Sequence, residues 1–180
     1  MKNKYTLITG ASSGIGLEIA ACMAEKGHNL ILTARRENIL IKASKDISEK
    51  HKVKVDYIAA DLSDIDAPEI IFNYCEENDY EVDVLVNNAA GNFISRTKDL
   101  SPNGFNAIAS IVFHGTFYMT NAVGRRWIEL GHKGSILSIL ATWVWTGSPY
   151  VIPSAMSKSG IHAMTKSLAV EWGPHGIRLN

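Results

Sequence analysis

The sequence predicts an α/β protein built on a doubly wound parallel sheet, and three observations carry that reading. Short apolar runs alternate with longer amphipathic segments, the pattern of strands joined by crossover helices. A glycine-rich turn, Gly10-Ala11-Ser12-Ser13-Gly14-Ile15-Gly16, separates the first apolar run from the first amphipathic segment. No repeat, low-complexity tract or flexible linker interrupts residues 1–180, so one domain is expected.

The strands are expected at Tyr5–Thr9, Asn29–Thr33, Lys54–Ala59, Val82–Asn87 and Gly134–Leu140, each a short run rich in β-branched and aliphatic residues. Between them, residues recurring at helical spacing place helices at Ile15–Lys26, Glu37–Glu49, Ala67–Asn78, Pro102–Leu130 and Ser154–Trp172. Ser101-Pro102 supplies a cap and a first-turn proline for the fourth helix, and Gly173-Pro174 ends the fifth. Right-handed crossovers then give a Rossmann-like sheet whose ligands sit at the carboxyl ends of the strands. Ile177-Arg178-Leu179-Asn180 begins a sixth strand at the very end of the sequence. The expectation is a chain truncated after the fifth helix, lacking C-terminal strands and leaving the fifth strand with an unpaired edge.

Hydrophobic residues make up 46% of the chain and charged ones 20%, with 18 basic against 18 acidic side chains. This composition excludes disordered and disulfide-rich classes. Cys22 and Cys75 stand far apart with no ligand-like spacing, so no metal is expected and a cytoplasmic, reducing location is. Met1-Lys2-Asn3-Lys4 runs at once into a strand pattern without a secretory segment. Residues 1–90 hold 10 basic and 15 acidic side chains, and residues 91–180 hold 8 and 3. Two halves of one sheet with different surfaces account for this contrast, and the basic density is too low for a nucleic-acid site.

The chemistry of the glycine-rich turn is backbone chemistry. Gly10 permits the tight turn, Gly14 allows close approach to a pyrophosphate, and Gly16 allows the helix to pack on the strand. Ser12, Ser13 and Ile15 complete the loop, and the helix start offers unpaired N–H groups to an anion. About 20 residues farther on, where an NAD site places an acid on the ribose, the second strand ends in Arg35-Arg36. Guanidinium groups match phosphate oxygens, so a 2′-phosphate and hence NADP (NADPH) is favoured.

With Thr9–Gly16, Asp61-Leu62 and Asn87-Asn88-Ala89-Ala90-Gly91 in order, the chain resembles the short-chain dehydrogenase/reductase family over its whole length. The resemblance implies that Asp61 contacts adenine, that Leu62, Asn88 and Ala89 line the cofactor channel, and that Lys158 holds the nicotinamide ribose. The second half is similar to the 2,4-dienoyl-CoA reductases through Asn87–Ser95, Leu100–Phe105 and Pro153–Lys158. Ser154 stands where most of the family has a tyrosine proton donor, as it does in that branch, and a serine hydroxyl is far too weak an acid to replace a phenol. Ser154 either contacts substrate or caps the helix after Pro153. Trp143 and His114 take the places of the branch's carbonyl-holding tyrosine and asparagine, and Thr142 that of a substrate-orienting serine. Packing is the competing role for His114, and for Trp143 a wall, with Trp145, of an apolar pocket. Tyr150 is a further phenol outside any family motif.

The function so implied is NADP-dependent reduction of an enoyl- or dienoyl-CoA double bond. Competing expectations are a non-catalytic dinucleotide-binding module or inactive fragment, and a carbonyl/alcohol oxidoreductase. A small-molecule substrate, an acyl-CoA by resemblance, and a homo-oligomer packed through the two long helices are expected, with neither nucleic acid nor membrane as partner.

Overall fold

The computed structural model describes residues 3–180; Met1 and Lys2, on which part of the amino-terminal reading rests, lie outside them. Six strands form one parallel sheet: β1 (Asn3–Thr9), β2 (Asn29–Ala34), β3 (Val55–Ala59), β4 (Tyr80–Asn87), β5 (Gly134–Ser138) and β6 (Ile177–Leu179). Their order is β3-β2-β1-β4-β5-β6, so the sequence direction reverses between β1 and β4. Both halves of the chain contribute to this one sheet, β5 and β6 coming from the less acidic half.

Leu30-Ile31-Leu32 of β2 and Val84-Leu85-Val86 of β4 are continuous apolar runs because both sheet faces are covered there. Tyr5 and Leu7 of β1 and Ile31 of β2 face one core with Phe72, Met119 and Trp127. Their neighbours Ile8, Leu30 and Leu32 face the other with Ala20, Ala24, Leu40 and Ile47. The second core belongs to α1 (Gly14–Glu25) and α2 (Glu37–His51). The first belongs to α3 (Ala67–Glu77) and the long helical stretch after β4. Arg126 joins these last two, reaching Glu69 at 3.3 Å and Glu76 at 3.2 Å while lying over the Phe72 ring at 5.0 Å.

That long stretch departs from the expected continuous α-helix. It divides into α4 (Pro102–Ala109), a π turn at Ser110–His114 and α5 (Gly115–Leu130). The wide turn ends where Gly115 meets the Leu62 backbone so closely that a Cβ would lie 2.6 Å from the Leu62 carbonyl oxygen. The Ser101 cap is present, its hydroxyl accepting from Gly104 N at 3.0 Å. A second unforeseen element is α6 (Trp143–Thr146), one short turn after β5. The last helix, α7 (Ile152–Trp172), starts two residues before the expected Ser154 because Val151 is its cap and Pro153 lies in its first turn. The capping role considered for Ser154 is therefore incorrect.

The expected open edge on β5 is also corrected. Gly134, Ser135 and Ile136 pair with Ile177, Arg178 and Leu179. Ser138 N donates to Asn180 O at 2.8 Å and Asn180 N to Ile136 O at 2.9 Å. Among the described residues no helix is long and apolar enough to cross a membrane.

Gly124 on α5 lies against the buried Trp172, and an added Cβ would come 2.2 Å from its ring. Alanine is the better helix former by about 1 kcal/mol, yet Gly124→Ala is expected to lose about 1–3 kcal/mol through overpacking. Urea unfolding checks this, and a variant as stable as the parent contradicts the packing.

Candidate dinucleotide and substrate site

A buried hydroxyl ties the end of β1 to the end of β4. Thr9 Oγ1 accepts from Asn88 N and Ala89 N, both at 2.9 Å, and donates to Val86 O at 3.3 Å. In return the Asn88 carboxamide donates to Thr9 O at 3.0 Å and Gly10 O at 3.3 Å. The ends of β1 and β4 are thus clasped where the strand order reverses. Gly10 has φ +65° and lies so near Ala89 that a Cβ would be 2.8 Å from its Cα. Gly16 lies under the Asn88 carboxamide, with 2.4 Å left for a Cβ. A side chain at either position would push β4's loop away.

Beyond the clasp opens a cleft of about 330 Å³ lined by the turn, by Arg35 and Arg36, by Asp61 and Leu62, and by Asn88 and Ala89. Gly10, Ser12, Ser13 and Ile15 line it from the turn, while Gly14 and Gly16 shape the turn without lining the cleft. Ser13 precedes α1 without a side-chain capping bond, and the first turn of α1 holds no acid. Its hydroxyl accepts from Arg36 Nη2 at 3.4 Å. Two exposed guanidinium groups, two hydroxyls and a helix start make a donor set for an anionic ligand. Asp61, the one acid among the described lining residues, accepts from Ser63 N at 3.0 Å and Ser63 Oγ at 2.8 Å. This donor set fits a dinucleotide.

Thr33, Ala34, Ala60, Ala90 and Ile111 also line the cleft, a place the sequence did not assign to them. Thr33 stands opposite Thr9 in the β1–β2 register, and its buried Oγ1 has no hydrogen-bond partner. A threonine ending the strand beside the glycine-rich turn was the available signal. Ala11 N donates to Thr33 O at 3.2 Å, fixing the turn to β2 as well.

Lys158 lies outside this cleft, on the first half of α7. Both it and Ser154, one helical turn earlier, are buried. Lys158 Nζ donates to Ile139 O. Ile139 N donates in turn to Asn87 O at 2.9 Å, so the lysine is tied to the residue just before the Asn88 clasp. Burial pushes its ammonium pKa down from 10.5 to about 8, since removing a charge from water favours the neutral amine.

The other residues expected near substrate occupy different settings. Trp143 begins α6, and its buried Nε1 has no hydrogen-bond partner. Thr142 is exposed immediately before that helix. His114 is exposed at the end of the π turn, its ring centroid 5.6 Å from Phe113 and 6.0 Å from Tyr118. None of these three lines the dinucleotide cleft.

The lowered Lys158 pKa has a definite sign. Below pH 8 the ammonium is charged in both folded and unfolded chains, and its burial is destabilising. Between pH 8 and 10.5 the unfolded chain binds more protons, so stability rises, by about 3 kcal/mol if the whole shift is realised. Lys158→Met is expected to lack this rise. Urea unfolding of both proteins from pH 7 to 11 checks it, and parallel profiles contradict it.

Comparisons with known proteins extend this geometry. The family model described as short chain dehydrogenase matches residues 4–180. An uncharacterized oxidoreductase of Caenorhabditis elegans is 39% identical over 181 residues, covering 100% of this chain and 58% of its own length. A probable 2,4-dienoyl-CoA reductase of Bacillus subtilis is 37% identical over 181 residues, covering 100% of this chain and 71% of its own. A crystal structure of a short chain dehydrogenase from Bacillus anthracis superposes with TM-score 0.93 at 42% identity, over 99% of this chain and 74% of that one. With the strand order, the clasped glycine-rich turn and the buried helix lysine, these similarities show that the chain belongs to the short chain dehydrogenase family, and it spans less than two thirds of the length of the Caenorhabditis elegans relative it matches.

Proposed function

We propose that this protein uses NADPH to reduce the conjugated double bond of an enoyl- or dienoyl-CoA thioester. The observation that carries the reading is Ser154, buried one helical turn before the buried Lys158. A phenol at that position is the proton donor of ordinary carbonyl reduction, and serine cannot take its place. The similarity to proteins named as probable 2,4-dienoyl-CoA reductases supports the same direction.

In this reading the start of α1 and the Ser12 and Ser13 hydroxyls hold the pyrophosphate, and Arg35 with Arg36 the 2′-phosphate. Asp61 contacts the adenine, while Leu62, Asn88 and Ala89 flank the dinucleotide. The bound cofactor supplies the hydride. Lys158 donates to the ribose hydroxyls and fixes the orientation of the nicotinamide. His114 and Trp143 donate to the thioester carbonyl oxygen, where negative charge develops as the double bond accepts hydride. Thr142 and Ser154 contact the substrate beside them. We also propose a homo-oligomer, for which the exposed Phe117 on α5 and Met156 on α7 offer apolar surface.

One observation favours a second reading, a dinucleotide-binding module without this reductase activity. Trp143 Nε1 is closed off from solvent, so it reaches a substrate oxygen only if α6 moves.

Titration with NADPH and NADH separates the cofactors. Arg35→Ala and Arg36→Ala together are expected to weaken NADPH binding about 10- to 100-fold, the worth of a charge-assisted contact or two. NADH affinity is expected to stay within about twofold. Equal losses for both cofactors contradict the 2′-phosphate assignment. Oxidation of NADPH with a simple ketone and none with any enoyl- or dienoyl-CoA contradicts the proposed reaction.

A further inference from the structure

The outer strand β3 has β2 on one side and, among the described residues, no strand on the other. Leu30 N donates to Lys54 O at 2.9 Å and Ala60 N to Ala34 O at 3.0 Å. In a parallel pair alternate residues bond across to the neighbour, so Val55, Tyr57 and Ala59 turn their backbone N–H and C=O groups to the open side. Glu37 of α2, Tyr74 of α3 and residues 56–59 of the strand line an open groove of about 490 Å³ along this edge. Unpaired donors and acceptors on an accessible edge are a template for another strand.

The middle of the edge is occupied from within the chain. Tyr57 N donates to Oδ1 of Asp56 at 2.8 Å, while Oδ2 of the same carboxylate accepts from Tyr74 Oη at 2.8 Å and Tyr80 Oη at 2.9 Å. The phenols come from α3 and β4, and the Tyr80 ring lies against the buried Tyr5 ring of β1 with centroids 4.3 Å apart. Burial, and then the carboxylate, pushes the Tyr74 phenol up to about 12, so its hydroxyl keeps the hydrogen it donates. Elements of the core thus hold the Asp56 carboxylate on the outward N–H of Tyr57. None of Asp56, Tyr74 and Tyr80 lines the dinucleotide cleft.

From the open edge and the doubly anchored carboxylate, we infer that Asp56 is an edge guard, which keeps β3 from pairing with β3 of a second copy of this chain. Two copies meeting antiparallel at Tyr57 would exchange both N–H···O=C bonds of that residue, and Asp56 takes the N–H away in each. The same pairing would set the two Asp56 side chains diagonally on one sheet face, about 7–8 Å apart, where like charges repel.

Amide hydrogen exchange and sedimentation velocity test the guard. In the parent, Tyr57 N–H is expected to be protected at least about tenfold more than the outward N–H groups of Val55 and Ala59. Asp56→Ala is expected to form assemblies larger than the parent's, growing with concentration. Adding Tyr57→Pro, which removes the N–H at an outward edge position where proline is tolerated, is expected to return the variant to the parent's size. Adding Tyr57→Val instead, which removes the same ring and keeps the N–H, is expected to leave the assemblies in place. Proline restores no tertiary contact, so its rescue separates edge pairing from lost folding. An Asp56→Ala chain of the parent's size at every concentration overturns the inference, as do assemblies that proline leaves intact or that valine also removes. Tyr57 N–H exchanging as fast as its two outward neighbours in the parent overturns it without any substitution.

Discussion

The Thr9 hydroxyl is the point from which the rest of the site is set. It has one hydrogen to give and two lone pairs to offer, and all three are used: Val86 O receives the hydrogen while Asn88 N and Ala89 N occupy the oxygen. In a parallel sheet the strand ends have no hairpin to close them, so their backbone groups need partners from elsewhere. Here one side chain supplies them at the place where the sheet reverses its order. The close approach it enforces excludes a Cβ at Gly10, while at Gly16 the Asn88 carboxamide and the Gly10 carbonyl oxygen together exclude one.

The same ordering explains how the two chemical regions of the molecule are coupled. Asn87 O receives Ile139 N, and Ile139 O receives the Lys158 ammonium. A displacement of the β4 end therefore acts on the glycine-rich turn through Asn88 and on the lysine through Ile139. The buried ammonium is a costly group to fold, as its lowered pKa shows. A well-packed fold has no structural need for it, which is why such a residue points to function. The two cores on opposite sheet faces hold the strand ends rigid enough for these few bonds to fix the geometry.

Much of the fold was legible because burial on both faces leaves continuous apolar runs. Leu30-Ile31-Leu32 and Val84-Leu85-Val86 announce interior strands without any partner information. The π turn was not legible, since Ser110–His114 carries no local breaker and the feature ends at the tertiary contact of Gly115 with Leu62. Four residues of α6 are too few for a periodic pattern. The closing of β5 by β6 depends on a pairing that three residues, Ile177–Leu179, cannot announce alone. In the site, glycine spacing and the arginine pair were readable because their chemistry is local. The role of Thr9 was not, because it is defined by β4, a strand distant in sequence. Of the two roles open to Ser154, capping could not be discarded from the sequence for a similar reason: the helix start is set by Val151 and Pro153.

The most direct measurement is NADPH affinity and urea stability of Thr9→Val, with Thr9→Ser beside it. Valine keeps the volume and removes the hydroxyl, leaving Asn88 N and Ala89 N without their acceptor. Valine is expected to lose about 2 kcal/mol or more in stability and at least about tenfold in NADPH affinity, with serine close to the parent. A valine variant that binds NADPH as the parent does would contradict the central place given to this hydroxyl.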